Sequence, residues 1–170
     1  MSAPISRLSC DSFGVGANRL LLPIDLAKCP LEIFPLAKGF AKPEGGEIEL
    51  LYVLDLQSNA SQRGVYEAER HLERIGRDYL RPAGKASFRV RAGIPHEQIF
   101  AEATAARADL ILLPVHTLSI WRRLAGSGYG ETARHLVAGA SCGVFVVDVR
   151  MCFNCFRHWE EEGSSVQWEA

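Results

Sequence analysis

Apolar positions along this chain fall into short, nearly unbroken runs, separated by stretches in which they recur every three or four residues. The first run is Arg19–Ile24 (RLLLPI), which ends at Asp25. Glu47–Leu54 (EIELLYVL), Asp109–Pro114 (DLILLP) and Val144–Val149 (VFVVDV) are the second, fourth and fifth. Runs without polar alternation mark strands buried on both faces. Ala86–Arg91 (ASFRVR) alternates instead, which predicts a half-exposed third strand at a sheet edge. Pro23 suits the end of a central strand better than its middle.

The intervening stretches read as helices. Leu31, Phe34, Ala37 and Phe40 are spaced for a helix opened by Cys29-Pro30, with Pro30 in its first turn and Pro35 kinking it. Val65, Ala68, Leu72, Ile75 and Tyr79 give the clearest apolar stripe, and Glu73–Arg77 is a supportive pair on the solvated face. Gly93-Ile94-Pro95 leads into a helix from about His96 to Arg107, and Glu131–Ala138 is a short one. Strand and helix therefore alternate five times. The pattern predicts one α/β domain over residues 19–149, with a parallel sheet and helices on both faces. Residues 1–18 read as an N-terminal arm and 150–170 as a C-terminal tail. In such sheets ligands sit beyond the carboxyl ends of the strands, at a topological switch point. That directs attention to Asp25 and to the glycine-bearing loop from Val115 to Gly130.

Composition narrows the function. The 170 residues are 48% apolar and carry a net charge of −1, which gives no electrostatic footprint for nucleic acid or an anionic membrane. No run approaches the roughly 18 apolar residues of a membrane span, and the first residues lack the apolar core of a secretory signal. Five scattered cysteines make no disulfide framework, and a cytoplasmic address is expected.

The segments RLLLPID, EIELLYVLD, GIPHEQI, DLILLPVHT and ETARHLVAGASCGVFVVDV, in this order and spacing, resemble the universal stress protein family over about residues 19–149. The resemblance implies a Rossmann-like fold, akin to that of adenine nucleotide alpha-hydrolases, with strand order 3-2-1-4-5. It also implies a homodimer through the last strand, Val144–Val149. Many members bind ATP or AMP and others do not, with Mg expected only alongside nucleotide. Asp25 occupies the place of an acidic residue near the adenosine moiety, and it is also a residue type that caps turns. Ile24 adjoins it, and Val53 is either the apolar wall for the base or simply core.

The phosphate loop departs from the family pattern of Gly-x-x-Gly, nine residues, then Gly-Ser or Gly-Thr. The first two glycine positions fall on Pro114 and Thr117, and proline has no N–H to offer. Gly126-Ser127 supplies the later pair one residue early. Gly130-Glu131 fits the following helix but sets a carboxylate where the hydroxyl belongs. The expected nucleotide site is therefore Ile24, Asp25, Val53, His116, Gly126, Ser127, Gly128, Gly130 and Thr132, with Arg122 and Arg123 as nearby cations.

Three other patterns were weighed. Gly14-Val15-Gly16 precedes a strand, where a dinucleotide fingerprint must follow one. Cys152, Cys155 and His158 are weak zinc candidates lacking a second pair, and Phe153, Phe156 and Trp159 equally suit a tail packed on the body. No GxSxG elbow or acid–base pair stands out, so hydrolysis is expected to be slow at most. A binding and regulatory module leads. A member that lost nucleotide binding and works through protein partners comes second, and an enzyme of nucleotide alpha-phosphate chemistry third.

Overall fold

The computed structural model describes residues 16–27, 29–54, 62–80, 85–115 and 130–148. Five strands, β1 (Arg19–Pro23), β2 (Glu47–Leu54), β3 (Lys85–Ala92), β4 (Leu110–Val115) and β5 (Gly143–Asp148), form one parallel sheet in the order β3-β2-β1-β4-β5. Side-chain alternation along each strand feeds two cores. Leu20, Leu22, Ile48, Leu50 and Leu112 face α1 (Ile33–Phe40) and α2 (Gln62–Ile75). Leu21, Leu51, Ile111 and Leu113 face α3 (Pro95–Ala105) and α4 (Glu131–Gly139). Leu21, Leu22, Leu50 and Leu51 are each 0% exposed, and full burial of such a side chain contributes about 2 kcal/mol. No helix among the described residues is long and apolar enough to cross a membrane.

Two helices differ from the sequence expectation. The first begins at Ile33, not near Cys29, so Leu31 lies outside it and is 46% exposed. Pro35 is then the third helical residue. An N–H in the first turn has no acceptor within the helix, so the proline removes no bond and imposes no kink. The second departure concerns Tyr79. After Ile75 the chain makes one π-helical turn, Gly76–Leu80. A π turn carries an extra residue, so the inward position passes from 79 to 80. Leu80 is buried, while Tyr79 is 37% exposed and stacks on Phe34 at 5.3 Å. Gly76 permits this, because a Cβ there would stand 2.1 Å from the Phe88 ring on β3.

The remaining elements match their sequence signals to within a residue or two. β3 closes one side of the sheet, as its alternation predicts, and Glu73 and Arg77 pair at 3.6 Å. β1 and β4 are pinned where they start. Asp109 Oδ2 accepts the N–H groups of Asn18 and Arg19, at 2.8 and 3.1 Å. The Arg19 N–H foremost, and then that of Asn18, hold its carboxyl below the usual range against some desolvation.

Candidate functional site

The order β3-β2-β1-β4-β5 makes the boundary between β1 and β4 the switch point, because the chain leaves β1 for one side of the sheet and returns for the other. Their hydrogen-bonded ladder ends early there. They share two register pairs, Leu20↔Leu110 and Leu21↔Ile111, against five for β1–β2, six for β4–β5 and eight for β2–β3.

Two prolines account for this early end. In a parallel strand the N–H and C=O of one residue point to the same neighbour, and successive residues alternate. The Ile24 N–H donates to Leu51 C=O at 2.9 Å, so even-numbered residues of β1 face β2 and odd-numbered ones face β4. The Asp109 C=O accepts the Gly143 N–H at 3.1 Å, so on β4 the residues 110, 112 and 114 face β1. The next rung would need an N–H on Pro23 for Leu112 C=O, and the one after it an N–H on Pro114 for Pro23 C=O. Neither exists. The ladder therefore stops short of the switch-point crevice at the carboxyl ends of β1 and β4.

Its near side holds three of the expected residues. Ile24 is buried against the α1–α2 core. Asp25 follows on the exposed turn, and its Oδ1 accepts the Ala27 N–H at 2.9 Å. The turn-capping reading thus holds for one carboxylate oxygen. Cys29, farther along this turn, has its thiol pushed up to about 11, first by burial and then by the charges of Asp25 and Glu32. Val53 packs its side chain toward the α3–α4 core. The Leu54 C=O accepts the Gly93 N–H on the β3 side at 2.9 Å, so Val53 turns its N–H and C=O the other way, over the end of β1. Among the described residues neither group has a partner.

On the far side, α4 starts at Glu131 with Gly130 before it, where the Gly130-Glu131 register puts the helix. The Glu131 carboxylate is 79% exposed and lies 3.7 Å from His135 Nε2, along its own helix. His135 stacks on His96 of α3, with ring centroids 4.2 Å apart. Thr132, half-buried, brings a hydroxyl to the first turn of this helix. His116, Gly126, Ser127 and Gly128, with Cys152, Cys155 and His158, lie outside the described residues. Among those described, no group of three or more His, Cys, Asp or Glu side chains is arranged to hold a metal ion.

Sequence reasoning noted each proline singly and missed their joint effect, which needs the strand neighbours and the facing of each N–H. It also missed a charged network on the α3 face. Glu102, 3% exposed, receives Arg91 and Arg89, and Arg89 also meets Glu49 at 3.7 Å. Arg19 and Lys85 pair with Glu47 at 3.4 and 3.8 Å. A polar pocket of about 150 Å³ lies beside them, toward the amino ends of the strands and away from the crevice.

The universal stress protein family model matches residues 16–148. Among solved structures, hypothetical protein MJ0577 aligns with a TM-score of 0.62 at 23% identity, covering 77% of this chain and 95% of that one. A universal stress protein from Archaeoglobus fulgidus aligns at 0.61 and 15% identity, covering 76% and 98%. A universal stress protein in complex with cAMP aligns at 0.57 and 16%, covering 79% and 98%. At these identities the structures speak to the fold, and the match over most of the chain speaks to descent. The chain belongs to the universal stress protein family.

Proposed function

We propose that the chain is a regulatory module that binds an adenine nucleotide, AMP or ATP, in the crevice between β1 and β4. The observation that carries this reading is Val53. Its N–H and C=O lie side by side, unpaired among the described residues, over the end of β1. The edge of adenine offers the complement, a ring-nitrogen acceptor beside an amino donor. The other oxygen of Asp25 suits ribose hydroxyls. Gly130 and Thr132, with His116, Gly126, Ser127 and Gly128, complete the proposed site. Two solved neighbours support the ligand class, one in complex with cAMP and one, from Archaeoglobus fulgidus, in complex with dAMP.

The same reading makes the protein a cytoplasmic stress-response homodimer. Among the described strands β5 is the outermost on its side of the sheet, a position from which a strand can pair with the same strand of a second copy. Phe145 on that strand is 36% exposed. Pro114, at the first glycine position, favours the second reading, a member that works only through protein partners.

Native mass spectrometry of the purified protein, titrated with AMP, separates the two. The proposal expects a dimer that takes up one AMP per chain at micromolar concentration. Asp25→Ala and Val53→Pro should each weaken uptake about tenfold or more, since each removes a contact worth about 1.4 kcal/mol. Val53→Pro deletes an N–H that pairs with no strand, so the sheet keeps its ladder. A dimer that stays empty at millimolar AMP would leave the partner-only reading.

A further inference from the structure

α3 and α4 lie side by side on one face of the sheet and meet along a seam of two rungs. At one rung α4 presents Gly139, where a Cβ would stand 3.2 Å from the Phe100 ring of α3. At the other, His96 of α3 and His135 of α4 stack, with ring centroids 4.2 Å apart and planes 12° from parallel. On each helix the two positions are four residues apart, so they share a face. Beneath the seam Ile99, Ala103, Ala133 and Leu136 are buried in the core.

The Phe100–Gly139 rung carries no titratable group. The other is built from the side chain that ordinarily changes charge between about pH 5 and 8. Among the described residues, the charged groups of these helices besides the imidazoles are Glu97 and Glu102 on α3 and Glu131 and Arg134 on α4. Glu131 lies 3.7 Å from His135 Nε2. Glu102 is taken by Arg89 and Arg91, and Glu97 and Arg134 are exposed. One proton on the stack therefore has a carboxylate beside it and a neutral ring to lie against. A second proton sets two cations face to face, with that one carboxylate to share. His96 is also the second residue of α3, at the end where the helix dipole opposes a cation. The side chain of His135 is 44% exposed, so protons reach the stack without unfolding. We propose that the stacked pair is an acid-sensitive latch between α3 and α4, which holds with one proton and parts with two, loosening the first turns of α4. The latch needs no ligand, so it stands apart from the nucleotide reading.

The test follows the histidine Cε1–H signals of the full chain by NMR from about pH 8 to about pH 5. His96 and His135 should each move in two steps, while His71 on α2, the uncoupled control, moves in one. Amide exchange reads the helix. With the second step, protection of the Arg134 N–H, which donates to Gly130 C=O at 3.2 Å, should fall about tenfold or more, while Leu50 and Leu51 in β2 keep theirs. His96→Phe keeps a ring to stack on and takes no proton, so His135 should then titrate in one step and Arg134 should stay protected. His135→Phe gives the converse reading on His96. Single-step curves for both histidines in the wild type would overturn the latch. So would a loss of protection shared equally by Leu50 and Leu51, which would mean that acid unfolds the whole domain.

Discussion

Glu49 is a half-buried carboxylate whose pKa is raised, first by burial and then by the charge of Glu102, with Arg89 opposing at 3.7 Å. A raised carboxyl favours the folded state while protonated, and that contribution is lost as the pH rises through its folded value. Asp109 has the opposite sign. Its lowered pKa stabilises the fold above the ordinary aspartate range and is lost on acidification. Glu49→Gln should therefore be more stable than the wild type at neutral pH, with the gap closing as the pH falls toward the ordinary glutamate value. Urea melts at several pH values check this, and a gap independent of pH would contradict it. Among the candidate-site residues, Asp25 could be named from the chain because it follows the first apolar run, and Val53 from the family resemblance. What could not be read there is that the peptide edge of Val53 is unpaired among the described residues, since that depends on where a neighbouring strand stops.

At the scale of elements, local signals were readable wherever one principle governed. Glu47–Leu54 is a largely apolar run, and β2 has those bounds. The reading failed where phase mattered. Pro35 disrupts a helix that starts at Pro30 but is harmless in one that starts at Ile33, and nothing in the local spacing separates the two. Tyr79 and Leu80 exchanged roles because a π turn shifts the phase by one residue, and the close contact of Gly76 with Phe88 that accompanies it is long-range. The early end of the β1–β4 ladder makes the sharpest claim at this scale. Replacing both Pro23 and Pro114 with Ala should restore two rungs, Ala to Leu112 C=O and Ala to Ala. Hydrogen exchange should then show protected amides at 23 and 114, and AMP affinity should fall about tenfold or more as the crevice closes. Amides at both positions that exchange at the solvent rate would mean that the prolines are not what ends the ladder.

Seen whole, the molecule divides its chemistry between the two ends of one sheet. The amino end is tied shut by Asp109 and by the charged network through Glu47, Glu49 and Glu102. At the carboxyl end two missing donors stop the β1–β4 ladder, and Ile24, Asp25 and Val53 of the proposed site lie there. Fold class and strand order were readable from the alternation of runs and stripes together with the family resemblance. The point at which the β1–β4 ladder stops was not, because a proline's effect on a sheet depends on which neighbour its nitrogen faces.

The account stands most directly on one observable, the amide of Val53. In a ¹H–¹⁵N correlation spectrum recorded through an AMP titration, it predicts that the Val53 amide moves downfield to a saturating value. The Ile24 and Asp25 amides should move with it, while Ser87 and Arg89, at the charged pocket, stay in place. A titration that moves Ser87 and Arg89 and leaves Val53 unchanged would contradict it.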